Sequence, residues 1–467
     1  MNRLSWLALV IWIAVGLYGI FYNITYIDEA KYLIKGWLIT TGKIGYYTTP
    51  EFFYQHMPGG LLWYGLGQKI FGPNLLIARI QSFGIGLLVM LLSYKLAGLI
   101  NLKAKKNILP ILSLAPVVIL YYSSAVPQSL AIATLLAAFY CLFKNKHSWA
   151  TIWFTLTFIV RENFLFTLIF FLIYQRRIRP IIISGLILAI FFLPGWPGII
   201  QLLKNFPGIS WLLPVSQAEK VILGLNFQQE FHSISLYLQA IKEFIEAYWA
   251  FILFFLYSFK YRPIRNQHWQ FFLFITGFNF FAHAWSAYNL SPRAIVPYFS
   301  YIYPMAAVIA AVNFGHRKLK VLMPLIILAI ISLPLNALFR WPQSGSTIRL
   351  LNQSAGKLKP IVQDKQKIIW IAEPMSLYLA GRISYYPLIN HTNFYKPSDD
   401  TVAIKKLGFW NLEMLYDWLA QADLVVIDPN RLSLANIDLN PQLNNWQPVA
   451  APAEIWPNNL SLYLPQE

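Results

Sequence analysis

Charge alternates from loop to loop along the first 340 residues, and this alternation constrains the fold more than any single motif. Long apolar runs are separated by short polar segments. Five of these segments are basic and hold no Asp or Glu: Asn101–Asn107, Lys144–His147, Gln175–Arg179, Lys260–His268 and Gly315–Lys320. Every acidic residue lies in an intervening segment or in the C-terminal region. Short cytoplasmic loops are enriched in Lys and Arg. The basic set is therefore placed inside with the N-terminus, and the acidic segments outside. Residues 1–340 hold 27 Lys and Arg against 8 Asp and Glu, whereas residues 341–467 hold 10 against 11. The net charge of +18 thus belongs to the apolar part, where it sets orientation, and does not point to nucleic acid. The chain is 57% hydrophobic and 12% charged, while soluble domains carry about 25% charge. A soluble enzyme and a disordered chain are excluded. The lone cysteine, Cys141, excludes an intrachain disulfide and a cysteine metal cluster.

The apolar runs predict a polytopic α-helical membrane protein with about eleven transmembrane helices, at 4–22, 75–99, 108–123, 127–143, 149–160, 164–174, 181–194, 247–259, 269–282, 295–313 and 319–337. Several are shorter than the roughly 20 residues of a straight span and read as broken helices. Residues 1–340 form the transmembrane domain, with a first outer loop at 24–74, an outer turn at 161–163 and another outer loop at 195–246. Residues 341–467 form a small soluble extracytoplasmic α/β domain. In it, Lys367–Ala372 (KIIWIA) and Ala422–Asp428 (ADLVVID) read as buried strands with an amphipathic helix at 410–421 between them. It has no Gly-rich phosphate loop, and no internal repeat supports an inverted-repeat transporter.

The residues able to do chemistry lie on the outer side. Asp28 and Glu29 open an amphipathic helical pattern, 30–41, suited to the membrane interface. They read either as a helix cap favoured by the dipole or as a general base beside a metal-binding or orienting carboxylate. His56 is a candidate ligand for a metal, a phosphate or an acceptor, and Pro58 sets the start of the next helix. Arg79 sits at the outer end of a span, either snorkelling or facing an internal site. Arg161 and Glu162 interrupt two apolar runs and read as a plain turn or as an anion ligand beside an acid. His283 and Arg293 flank an outer loop, followed by a run with Tyr298, Tyr301 and Tyr303; Arg293 is a candidate phosphate ligand.

Asp28-Glu29-Ala30-x-Tyr32, then Gly42, Pro58, Phe71-Gly72 and Arg79, resemble the first-loop signature of the family 39-type glycosyltransferases. That superfamily of C-type fold membrane enzymes includes protein O-mannosyltransferases and lipid A aminoarabinose transferases. Arg293 followed by Tyr298, Tyr301 and Pro304 is similar to their late motif, and Tyr378–Arg382 looks like the start of the soluble domain in bacterial members. The chain departs from the pattern at His56-Met57-Pro58-Gly59, where many members have a basic residue and two prolines. The resemblance implies the C-type glycosyltransferase fold in a bacterial-type inner or plasma membrane. It implies an inverting transfer of sugar from a polyprenyl-phosphate donor to an outer-face acceptor, which is a protein, a lipid or a glycan. It implies Asp28 as the base with Glu29 beside it, and Arg79, Arg161, Arg293, His56 and Tyr298 as substrate or phosphate ligands. Some relatives use a divalent metal ion, for which Glu29, His56 and Glu162 are the candidate ligands. Two rival readings are a transporter or flippase of lipid-linked sugars and a non-catalytic scaffold or sensor. The first leaves the one-sided acids and the C-terminal domain unexplained; the second requires Asp28 to be dispensable.

Overall fold

The computed structural model describes residues 3–204, 234–259, 266–290, 294–315, 324–325, 327–329 and 347–466, except 26, 50–51, 53, 55, 391–393, 398–399, 407, 435–436, 451–454 and 456–458. The 319–337 span lies almost wholly outside the described residues, as do most of the basic segments at 260–268 and 315–320.

The apolar runs form α1 (Arg3–Tyr22), α4 (Leu75–Ile100), α5 (Ile108–Leu112), α6 (Pro116–Tyr122), α7 (Gln128–Phe143), α8 (His147–Val160), α9 (Leu165–Gln175) and α10 (Ile178–Phe192). Beyond α11 (Trp196–Lys204) come α12 (Ile234–Ser258), α13 (Gln267–Leu290), α14 (Ile295–Phe299) and α15 (Tyr303–Phe314). Among the described residues, three helical stretches are long and apolar enough to cross a membrane: Arg3–Tyr22, Leu75–Ile100 and Ile178–Lys204. The run at 108–123 is broken between α5 and α6, where Pro116 opens the second piece. The run at 295–313 breaks similarly before Pro304, which takes the first turn of α15. Proline lacks the N–H that would continue a helix through it, so each break falls just before one.

The segment between α1 and α4 supplies α2 (Ile27–Thr40) and α3 (Pro58–Phe71), which lie against each other. Glycines allow their backbones to approach closely. A Cβ on Gly36 would stand 2.3 Å from the Leu61 carbonyl oxygen, and one on Gly65 would stand 2.2 Å from the Gly36 carbonyl oxygen. The Thr40 hydroxyl donates to the Gly65 carbonyl at 2.9 Å across the same contact. Gly65→Ala should therefore force the two helices apart, an overpacking cost of about 1–3 kcal/mol. A melting midpoint several degrees below that of the parent is the expected result; an unchanged midpoint would mean that the pair repacks freely.

The C-terminal region carries helix α16 (Ile348–Val362), β1 (Ile368–Ile371), α17 (Pro374–Leu379), α18 (Thr401–Lys406), α19 (Leu412–Leu419), β2 (Leu424–Ile427), β3 (Trp446–Val449) and β4 (Ser461–Pro465). The sheet order is β1-β2-β4-β3. β1 runs parallel to β2, with Ile368 opposite Leu424, and β4 is antiparallel to both β2 and β3. Ile369, Ile371, Val425 and Ile427 pack with Trp410 and Leu415 on one face. Ile368, Trp370, Leu424 and Val426 pack with Leu358 and Val362 on the other. Burial on both faces explains why these strands read as unbroken apolar runs.

This region seats directly on the segment that carries α2 and α3. The Tyr378 hydroxyl donates to Gln68 Oε1 of α3 at 3.1 Å, and its ring meets Trp37 of α2 edge-on at 5.6 Å. The rings of Tyr386 and Phe52 meet in the same way at 5.6 Å.

Candidate active site

Asp28 and Glu29 stand in the first turn of α2, but the helix turns them to different fates. Glu29 is fully buried and receives Arg79 as a two-point partner, Nε to Oε1 at 3.0 Å and Nη2 to Oε2 at 2.9 Å. Its Oε1 also accepts the Ala125 N–H at 2.6 Å. Arg79 spends its other donors on the carbonyls of Ile20 and Asn23, each at 3.0 Å, and on the Thr25 hydroxyl at 3.3 Å. Burying a guanidinium requires this kind of complete pairing. The pair ties together α1, α2, α4 and the turn between α6 and α7. Arg79 therefore has no donor left for a phosphate, which corrects its expected role as a phosphate ligand. The expected catalytic and metal roles of Glu29 are corrected with it, because both of its oxygens are engaged within the protein.

The Asp28 side chain is 55% exposed and lies 3.5 Å from Lys31 Nζ. Its surroundings on the protein side push its pKa up, but the charges of Lys31, His56 and Arg161 outweigh this and leave the carboxyl below its usual range. Asp28 is thus ionised at neutral pH and open to a ligand.

The turn at Arg161–Glu162 faces inward over α2. It is brought there by the tip of α3, where a Cβ on Gly59 would stand 2.8 Å from the Ile159 carbonyl oxygen of α8. Arg161 Nη1 donates to the Tyr32 hydroxyl and lies 3.1 Å from His56 Nδ1. The His56 ring stacks on Tyr32 at 4.5 Å, and the Tyr47 hydroxyl donates to the His56 carbonyl. The Arg161 guanidinium sits 5.9 Å from the centre of the Tyr301 ring, and Tyr301 lies 5.3 Å from His283 and 6.4 Å from Tyr298. Burial works to raise the pKa of Glu162, but the adjacent Arg161 holds its carboxyl down at about 2. Five polar atoms in this cluster are buried without a hydrogen-bond partner: His56 Nε2, Arg161 Nε, Glu162 Oε2, His283 Nε2 and the Tyr301 hydroxyl. Such atoms are costly to leave bare, so the cluster has hydrogen-bonding capacity that the protein itself leaves unused.

Among the described residues no group of three His, Cys, Asp or Glu side chains is arranged to hold a metal ion. Glu29 is bound to Arg79 away from His56 and Glu162, and Arg161 Nη1 lies 3.8 Å from Glu162 Oε1. A guanidinium bridging the remaining two candidates opposes a cation, so the expected trio does not fit a divalent ion. Arg293 lies outside the described residues. Asp28, His56, Arg161, Glu162 and Tyr298 are brought into one neighbourhood. Tyr32 and Tyr301 join it, although neither was among the candidate site residues. The signal lay in the residue type, since a buried tyrosine needs a partner for its hydroxyl.

A guanidinium can only donate, so His56 Nδ1 accepts from Arg161 and its proton sits on Nε2. The 3.9 Å separation between His56 Nδ1 and Glu162 Oε1 is too long to compete as a hydrogen bond. Burial, with the charge of Arg161, lowers the His56 pKa from 6.5 to about 4. Between these two values the unfolded chain binds more protons than the folded one. Stability from this group is complete above about pH 6.5 and is lost as pH falls towards 4. The melting midpoint should drop across this window, and His56→Asn, which keeps an acceptor near Nδ1, should flatten the drop. Parallel profiles for the two proteins would show that His56 is not the titrating group.

No protein-family model matches the sequence, and no curated protein matches it. From end to end, however, the chain shares its fold with a protein of known structure. The similarity is to ArnT from Cupriavidus metallidurans bound to undecaprenyl phosphate, with a TM-score of 0.63 at 11% identity over 98% of this chain and 97% of that one. The apo state of the same protein matches with a TM-score of 0.60 at 10% identity over 97% of each chain.

Proposed function

We propose that the chain is an inverting glycosyltransferase that moves a sugar from a polyprenyl-phosphate donor to an acceptor on the outer face of the membrane. The observation that carries this reading is the exposed, ionised Asp28 carboxylate opening beside the buried Arg161–His56 cluster, in a fold shared along its whole length with an undecaprenyl-phosphate-bound protein. In the reaction, the acceptor hydroxyl attacks the anomeric carbon from the side opposite the phosphate. Its proton passes to Asp28. The bond between the anomeric carbon and the phosphate oxygen breaks, and its electron pair leaves on polyprenyl phosphate. The acceptor oxygen becomes strongly acidic only as the new bond forms, so even a carboxylate held below its usual range is base enough. Arg161 and the His56 Nε2–H are donors suited to the charge growing on the leaving phosphate, with Arg293 and Tyr298 as further ligands. The basic loops support an orientation with the N-terminus in the cytoplasm and the C-terminal α/β region outside.

The test is an assay of the purified protein with undecaprenyl phosphate bearing a radiolabelled hexose, together with a membrane extract as the source of acceptor. Release of undecaprenyl phosphate with label moved to a new product is the expected result. Vectorial movement of the intact donor across vesicles without bond cleavage would replace the enzyme reading with a transporter.

A further inference from the structure

We propose that His283 accepts a hydrogen bond from a hydroxyl group of the transferred sugar and so selects which sugar is used, a role that rests on the glycosyltransferase reading above. His283 lies on α13 and is 1% exposed. Its Nδ1 is 2.8 Å from the Asn279 carbonyl oxygen. A carbonyl only accepts, so Nδ1 carries a proton. The ring is hemmed in by Phe164 at 5.5 Å, Tyr298 at 5.8 Å and Tyr301 at 5.3 Å. It has no acidic side chain among its described contacts, and Arg161 is close by. Burial beside a cation keeps an imidazole neutral. Nε2 is therefore a bare lone pair, buried and without a partner.

His56 is the opposite tautomer. Its Nδ1 accepts from Arg161, and its Nε2–H is the bare atom. The two imidazoles give the cluster a polarity, with donors at His56 and Arg161 and an acceptor at His283. The Tyr301 hydroxyl beside His283 is able to serve either way. A phosphate oxygen is satisfied on the His56 side and repelled by a lone pair on the His283 side. A cation at His283 finds no carboxylate beside it and the charge of Arg161 nearby. A neutral hydroxyl supplies the one thing missing there, a proton to donate. In the donor molecule such hydroxyls belong to the sugar.

The experiment measures binding of two kinds of probe to the full chain in detergent: undecaprenyl phosphate alone, and undecaprenyl phosphate carrying mannosyl, glucosyl or galactosyl groups. Wild type is expected to bind at least one sugar-bearing probe more tightly than the bare lipid. His283→Phe should lose that increment, by roughly tenfold for one good hydrogen bond, while binding the bare lipid within about twofold of wild type. His283→Gln, whose amide oxygen reaches towards the Nε2 position, should recover part of the increment. An increment that survives in His283→Phe overturns the proposal. So does an equal loss for the bare lipid, which marks a packing role, and so does the absence of any increment in wild type. Failure of wild type to bind undecaprenyl phosphate in every form removes the glycosyltransferase reading and this assignment with it.

Discussion

Asp28→Asn is expected to yield a folded, membrane-inserted protein whose transfer rate is lower by at least about 10²-fold. The change is nearly isosteric, and asparagine is as good as aspartate at a helix N-terminus. The side chain is 55% exposed, and its one charged neighbour within ion-pair distance is Lys31, at 3.5 Å. The loss of charge leaves Lys31, whose side chain is 5% exposed, facing a neutral amide, a cost smaller than that of breaking a fully buried pair because Asp28 itself is half in solvent. It removes the group positioned to take the acceptor proton. The reaction then relies on water for that step, and a positioned base is worth roughly 10²–10⁴-fold. Donor binding is expected to stay close to normal, because the Arg161–His56 cluster is untouched. The decisive measurement is kcat alongside donor affinity and the melting midpoint. Near-normal turnover with an unchanged midpoint would reduce Asp28 to a helix cap and take away the main support for the catalytic reading.

Some of this was legible in the sequence, and the reasons differ residue by residue. The KIIWIA and ADLVVID strands were readable because strands buried on both faces leave an unbroken apolar signature, and both appear, paired in parallel. Pro58 announced the start of α3, where its fixed geometry suits the first turn. Arg161 and Glu162 were readable as turned away from lipid, because charge between short apolar runs must face water or a partner. Arg79 was not. An arginine at the outer end of an apolar helix has the same local appearance whether it holds a ligand or a carboxylate. Its acceptors come from Ile20, Asn23, Thr25 and Glu29, fifty or more positions away along the chain, and no local pattern carries that information. Tyr301 was seen as one of a run of tyrosines, but its place beside Arg161 depends on the break between α14 and α15.

The buried Glu29–Arg79 pair carries the second large effect, on stability. Both side chains are fully buried. Removing one partner leaves the other as an uncompensated charge, with a cost of about 3–5 kcal/mol. Arg79→Met is therefore expected to unfold the ends of α1, α2 and α4 that the pair joins, or to lower the melting midpoint far more than Asp28→Asn does. Glu29→Gln should do the same in the other direction, leaving the guanidinium facing a neutral amide. The loss of activity in either variant would follow the loss of fold, and added divalent metal should restore neither. The double variant Glu29→Gln/Arg79→Met separates the charge from the geometry. With no unpaired charge left, it is expected to be more stable than either single variant, since replacing a buried pair is tolerated far better than breaking it. It loses the two-point hold on Glu29, and with it the fixed aim of the adjacent Asp28. Recovered melting without recovered turnover is thus the expected pattern, checked by thermal unfolding and kcat on the same preparations. Strictly additive losses in the double variant would mean that the two residues act independently, against the 2.9 and 3.0 Å contacts that join them.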